Sequence, residues 1–100
     1  MSAVASDFVV RFLFEALDIR GAFVRLDESW RSLLAGRGYA ATVRGLLGEM
    51  TATAVLIADN LKQPGRLTFQ LKGHGPIRLL VIDCSTALHL RGMALAEADV

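Results

Sequence analysis

The sequence predicts an α+β domain: an opening β-hairpin, a short helix, a long apolar helix and a three-strand β-meander packed on the helices. Three observations carry this. Leu67, Phe69 and Leu71 alternate with Thr68, Gln70 and Lys72, the period of a half-buried strand. The turn Gly73-His74-Gly75-Pro76 reverses the chain, because the glycines tolerate positive φ and Pro76 biases Gly75 away from the helical region. An apolar stripe with helical spacing occupies the middle of the chain.

The elements follow in order. Residues 1–6 read as a frayed terminus. Phe8 to Ala16 is rich in β-formers, with Phe8, Val10, Phe12 and Phe14 on one parity and Val9, Arg11, Leu13 and Glu15 on the other. Leu17-Asp18 turns the chain into a second strand, Ile19 to Leu26, where Gly21 marks a bulge or a close approach by another backbone. Asp27 is placed to cap a short helix whose buried stripe is Trp30, Leu33 and Leu34, and Gly36 and Gly38 end it. The long helix is expected from about Thr42 to Leu61. Its stripe is Val43, Leu46, Leu47, Met50, Ala54, Ile57 and Leu61, with Arg44, Thr51, Asp59 and Lys62 on other faces. Gly45, Gly48, Ala52 and Ala54 narrow its surface for close packing, and Asn60, Gln63, Pro64 and Gly65 stop it. The meander is then Arg66 to Lys72, Ile77 to Cys84 and, after a turn at Ser85-Thr86, Ala87 to Leu95. Ile77 to Ile82 is apolar at both parities apart from Arg78, the pattern of a strand covered on both faces.

With 100 residues the chain makes one domain, and 53% of them are hydrophobic, more apolar surface than so short a chain hides easily. The net charge of +1, without basic blocks, argues against a nucleic-acid partner. Asp7, Arg11 and Glu15 interrupt the first apolar stretch, against a secretory signal. The longest apolar run, Met50 to Ala58, falls short of the ~20 residues that span a bilayer. The expectation is therefore a cytoplasmic protein without a membrane partner. Cys84 is the only cysteine, which excludes an internal disulfide or a thiolate zinc site built within the chain.

Candidate chemistry is sparse. Gly73-His74-Gly75 lacks the third glycine of a nucleotide loop and lies between strands, so it reads as a turn. Asp83, Cys84, Ser85 and His89 offer the residue types of a nucleophile, base and orienter, yet strand alternation puts Asp83 and Ser85 on the face opposite Cys84. Cys84 with His74 or His89 makes too small a ligand set for a closed metal site. Glu49 lies within or beside the apolar stripe and is expected to pair with an arginine such as Arg20 or Arg91. Trp30, Phe8, Phe12 and Phe14 are expected in the core. The residues thus nominate no catalytic, cofactor-binding or metal-binding position, and the chain does not read as an enzyme.

Three blocks resemble the amino-terminal part of the redox-regulated 33-kDa heat-shock chaperone family. They are Arg11-Phe12-Leu13-Phe14 with Ile19-Arg20-Gly21, Leu46-Leu47-Gly48-Glu49, and Gly65 through Pro76 followed by Arg91-Gly92. The Thr-x-Gln strand ahead of Gly-x-Gly-Pro is the most specific of these. The resemblance implies an ATP-independent holdase that binds unfolding client proteins under oxidative stress, and a homodimer. Full-length members of the family hold zinc through four cysteines of a carboxy-terminal redox-switch module. None of those cysteines is present here, and Cys84 corresponds to none of them. Tyr39-Ala40 stands where the family usually has Tyr-Pro. The resemblance thus implies that residues 1–100 are one piece of the chaperone core domain, without the zinc module and with some apolar surface uncovered.

Overall fold

The computed structural model describes residues 7–97, so the expected frayed terminus at residues 1–6 lies outside the described residues. Strands β1 (Phe8–Phe14) and β2 (Ile19–Arg25) form an antiparallel hairpin, followed by helices α1 (Glu28–Leu34) and α2 (Ala41–Asp59). Strands β3 (Arg66–Lys72), β4 (Ile77–Ser85) and β5 (Leu90–Ala96) make an antiparallel sheet in the order β3-β4-β5. The predicted α+β architecture is the one observed.

Helix α2 joins the two sheets. Leu47 and Ala54 share one buried cluster with Leu33, Leu80 and Ile82, while Val55 and Ala58 share a second with Cys84, against which Val9, Val24 and Leu67 pack. The buried stripe is Val43, Leu47, Thr51, Ala54, Val55 and Ala58, which is rotated from the expected one: Leu46, Ile57 and Leu61 are exposed and Thr51 is fully buried. The reason is local. The Thr51 hydroxyl donates to the Leu47 carbonyl at 2.6 Å, so its polar group is satisfied inside the helix and its methyl can enter the core. Of the two helix glycines expected to admit close packing, Gly48 does so under the Trp30 ring, 3.4 Å from where a Cβ would stand, whereas the space beside Gly45 is open. By length and composition α2 could cross a membrane. Its buried Leu47, Ala54, Val55 and Ala58 meet the two sheets, as in a core helix.

In the meander, Leu67/Cys84/Leu90, Phe69/Ile82/Gly92 and Leu71/Leu80/Ala94 form cross-strand rows on the face toward α2. At Gly92 a Cβ would stand 2.8 Å from Ile82 Cδ1 and 2.9 Å from the Val81 carbonyl oxygen, so only glycine lets Ile82 fill that row. Strand β4 was expected to be covered on both faces. Instead Leu80, Ile82 and Cys84 are buried while Leu79, Val81 and Asp83 are half-buried, because no second layer lies on their side among the described residues.

Two strand boundaries differ from expectation by two residues or more, and the role of Gly21 differs as well. The first strand stops at Phe14, where a short 3-10 turn (Glu15–Leu17) and a left-handed Asp18 (φ 50°) reverse the chain. The last strand starts at Leu90 rather than Ala87, because Leu88 takes a left-handed φ of 64° and the Ser85 hydroxyl accepts bonds from the Ala87 and His89 amides. Gly21 sits in unbroken register opposite Phe12, so it makes no bulge; the close neighbour is the Phe12 ring rather than a backbone.

Helix α1 is capped from a distance. Asp27 occupies the cap position but makes no side-chain cap bond and pairs instead with Arg31. The Asp7 carboxylate accepts the Asp27 amide (2.7 Å), the Ser29 amide (3.1 Å) and the Ser29 hydroxyl. Partial burial would raise the Asp7 carboxyl, but the bonds from Ser29, Asp27 and Glu28 outweigh it and hold it below the usual carboxylate range. Asp7→Ala is expected to cost about 1 kcal/mol in urea unfolding at pH 7. Because the folded pKa is depressed, the contribution is present above the unfolded value of about 3.9 and fades as pH falls through the folded value. Melts of both proteins should therefore converge in strong acid, and a constant difference down to that pH would contradict the assignment.

Candidate interaction surfaces

Three of the polar candidates, Asp83, Cys84 and Ser85, are occupied structurally. The Cys84 thiol is fully buried and donates to the Ser85 carbonyl at 3.4 Å. Burial, helped by the Asp83 charge, pushes it above its ordinary pKa, the opposite of what a nucleophile needs. The Ser85 hydroxyl is committed to the turn. On the other face of the sheet, Asp83 accepts from Arg66, from the Thr68 hydroxyl at 3.3 Å, and pairs with Arg91 at 3.5 Å. The Arg66 bond, outweighing a smaller desolvation effect and aided by the Arg66 charge, Thr68 and Arg91, holds the Asp83 carboxyl low. Glu49 is exposed and makes no ion pair among the described residues, against the pairing expected with Arg20 or Arg91; Arg91 is engaged by Asp83. The rotated stripe turns Glu49 out of the core. No three His, Cys, Asp or Glu side chains among the described residues are grouped to hold a metal ion, so the residues do not fit the zinc that the resemblance attaches to full-length members.

What stands out is apolar surface. In the hairpin, Val9 and Val24 pack into the second core cluster and Arg11 reaches Asp59 at 3.2 Å, so this parity faces α2. The opposite parity carries Phe8, Val10, Phe12 and Phe14 on β1, across from Arg25, Phe23, Gly21 and Ile19 on β2. Phe12, Phe14 and Phe23 are 45%, 54% and 58% exposed, and Val10 and Ile19 about as much. The rings assemble without a covering layer among the described residues: Phe8 and Phe23 lie 6.2 Å apart, and Phe12 and Phe14 meet edge to face at 5.6 Å. The expectation that Phe12 and Phe14 are core is corrected here. Both parities of β1 are apolar, and α2 reaches only one of them. Trp30 does pack against the core, as expected.

A second apolar surface is an open groove of about 570 Å³ between α2 and the β3–β4 end of the meander. Leu46, Met50, Phe69, Leu71, Ile77 and Leu80 form its walls, with Glu49 and Lys72 among its polar residues. The exposure of Leu46 and Leu71 belongs to this groove. Alternation in the sequence located both apolar stripes, but which parity lacks a cover depends on where α2 lies.

A family model described as Hsp33 protein matches residues 7–99. Among curated relatives, a 33 kDa chaperonin of Ectopseudomonas mendocina is 45% identical over 94% of this chain and 32% of its own length. Proteins of the same name from Chromobacterium violaceum and Vibrio parahaemolyticus are 42% and 38% identical, over 94% and 97% of this chain and 32% and 33% of theirs. The chain thus spans about a third of the length of these relatives.

The two kinds of apolar residue should separate by stability. Phe14→Ser, on the exposed face, is expected to cost under about 1 kcal/mol in urea unfolding. Leu47→Ala, in the buried stripe, should cost about 2–5 kcal/mol. Equal costs would show that the hairpin face is covered in solution.

Proposed function

The chain belongs to the Hsp33 family, and from that premise we propose that it acts as an ATP-independent holdase, binding apolar segments of unfolding proteins and keeping them from aggregating. The observation that carries this reading is the outer face of the hairpin, where Val10, Phe12, Phe14, Ile19 and Phe23 stand half-exposed side by side. A contiguous apolar patch on a small domain marks an interaction surface rather than chance. Capture there requires no covalent step and no nucleotide: each client side chain that leaves water on such a face contributes about 25 cal/mol per Å² of apolar area. The name shared by the relatives, 33 kDa chaperonin, supports a chaperone role. In this proposal the protein is cytoplasmic, is not an enzyme, and has unfolded proteins rather than nucleic acid or membrane as partners. In this proposal zinc and redox regulation belong to the part of full-length family members that lies outside the third spanned here.

A second reading, assembly into a homodimer without client binding, is favoured by one observation: the hairpin is a two-stranded sheet whose outer edges are both unpaired among the described residues. An aggregation assay separates the two. A thermally unfolding client is heated alone and with a several-fold molar excess of the chain, while light scattering follows aggregation. The holdase reading expects suppression that Phe14→Ser/Phe23→Ser largely abolishes, with little change in the melting temperature of the chain itself. Absence of suppression together with a stable dimer in size-exclusion light scattering would favour the assembly reading.

A further inference from the structure

We infer that the edge of β3, unpaired among the described residues, is a strand-addition site, at which an extended segment of an unfolding protein, apolar at alternate positions and acidic at one end, pairs with the chain. The inference rests on the client-binding reading and adds the place and conformation of the bound segment. Hydrogen-bond register identifies which groups are free. The Gly73 amide donates to the Arg78 carbonyl at 3.0 Å, so odd positions of β3 bond toward β4. In an antiparallel pair the alternate positions point away, which leaves the amides and carbonyls of Thr68, Gln70 and Lys72 directed outward from the sheet. The other edge differs. On β5 the outward amide of Ala94 is taken by the Tyr39 hydroxyl at 3.0 Å, and α1 packs along that strand.

An edge alone is a common liability, but this one has a receptacle beside it. The groove between α2 and the sheet places Leu46 and Met50 next to Phe69 and Leu71, on the face where every second side chain of an added strand would point. Backbone bonds would supply affinity without sequence preference, and the groove would select apolar alternate residues. Charge sets the direction. Arg66 and Lys72 bracket β3; Arg66 is answered by Asp83, whereas Lys72 makes no ion pair among the described residues and lines the groove at the end of β3, while Glu49 lines it from α2. An acidic residue at the Lys72 end complements it.

The test is amide hydrogen exchange followed by NMR on the full chain. The probe is a synthetic peptide of alternating valine and threonine with aspartate at one terminus, made in both orientations, beside a control N-methylated at alternate amides. In the free chain Thr68, Gln70 and Lys72 should exchange faster than Phe69 and Leu71. With saturating peptide in one orientation they should slow by about tenfold or more, and the N-methylated control should have no effect. Lys72→Glu should weaken the aspartate peptide about tenfold and strengthen one ending in lysine. Binding that protects hairpin amides instead would overturn strand addition while leaving the holdase reading intact, as would a chain that suppresses client aggregation but ignores the peptide. Protection of β3 that grows with protein concentration and needs no peptide would give the edge to a second copy and also overturn the assignment. Failure to suppress aggregation would remove the holdase reading itself.

Discussion

One helix face serves two sheets, and the rest of the structure depends on that. The buried stripe of α2 is built largely from small or compact side chains, Val43, Thr51, Ala54, Val55 and Ala58, with Leu47 as its largest member. That stripe meets the meander through Leu47 and Ala54 and the hairpin through Val55 and Ala58. A single helical layer covers one face of each sheet and no more. The hairpin has apolar residues on both faces, so whichever face meets the helix, the other stays wet.

The polar groups hold this arrangement in place rather than doing chemistry. Asp7 reaches from the start of β1 to the amino end of α1, so that the hairpin and the short helix are tied by bonds between residues about twenty positions apart. From β4, Asp83 gathers Arg66 and Thr68 of β3 and Arg91 of β5 on the outer face of the meander. Ser85 closes the last turn, and the thiol of Cys84 is sealed beneath the helix. Asp83, Cys84 and Ser85, which first suggest catalysis, each have a structural partner, and the largest contiguous surface left over is aliphatic and aromatic. In the proposed reading such a surface recognises unfolded chains by properties they share, exposed apolar side chains and unpaired peptide groups.

Most of the architecture was legible in the sequence because it depends on local rules. Alternation gave β3, the Gly-Pro turn gave the reversal into β4, and the helical repeat gave α2 to within two residues at each end. The errors arose where a distant contact decided the outcome. Asp27 has the chemistry of a cap, but Asp7 arrives by tertiary structure and takes the role. Thr51 counts as polar in the sequence, but its hydroxyl bonds to the Leu47 carbonyl, so it is tolerated on the buried face while Leu46, Ile57 and Glu49 lie outside it. Phe12 and Phe14 looked like core because large aromatic residues usually are; alternation says that they share a face, not that anything covers it. The open edge of β3 left no mark on hydropathy, since backbone groups are the same at every residue.

The central claim is that the outer face of the hairpin meets solvent while the α2 stripe does not. Hydroxyl-radical footprinting of the native chain at low concentration, read by mass spectrometry, measures this directly. Phe12, Phe14 and Phe23 should be oxidised readily while Leu47 and Ile82 stay protected until the chain is unfolded. Protection of the three phenylalanines to the level of Leu47 in a verified monomer would contradict the account.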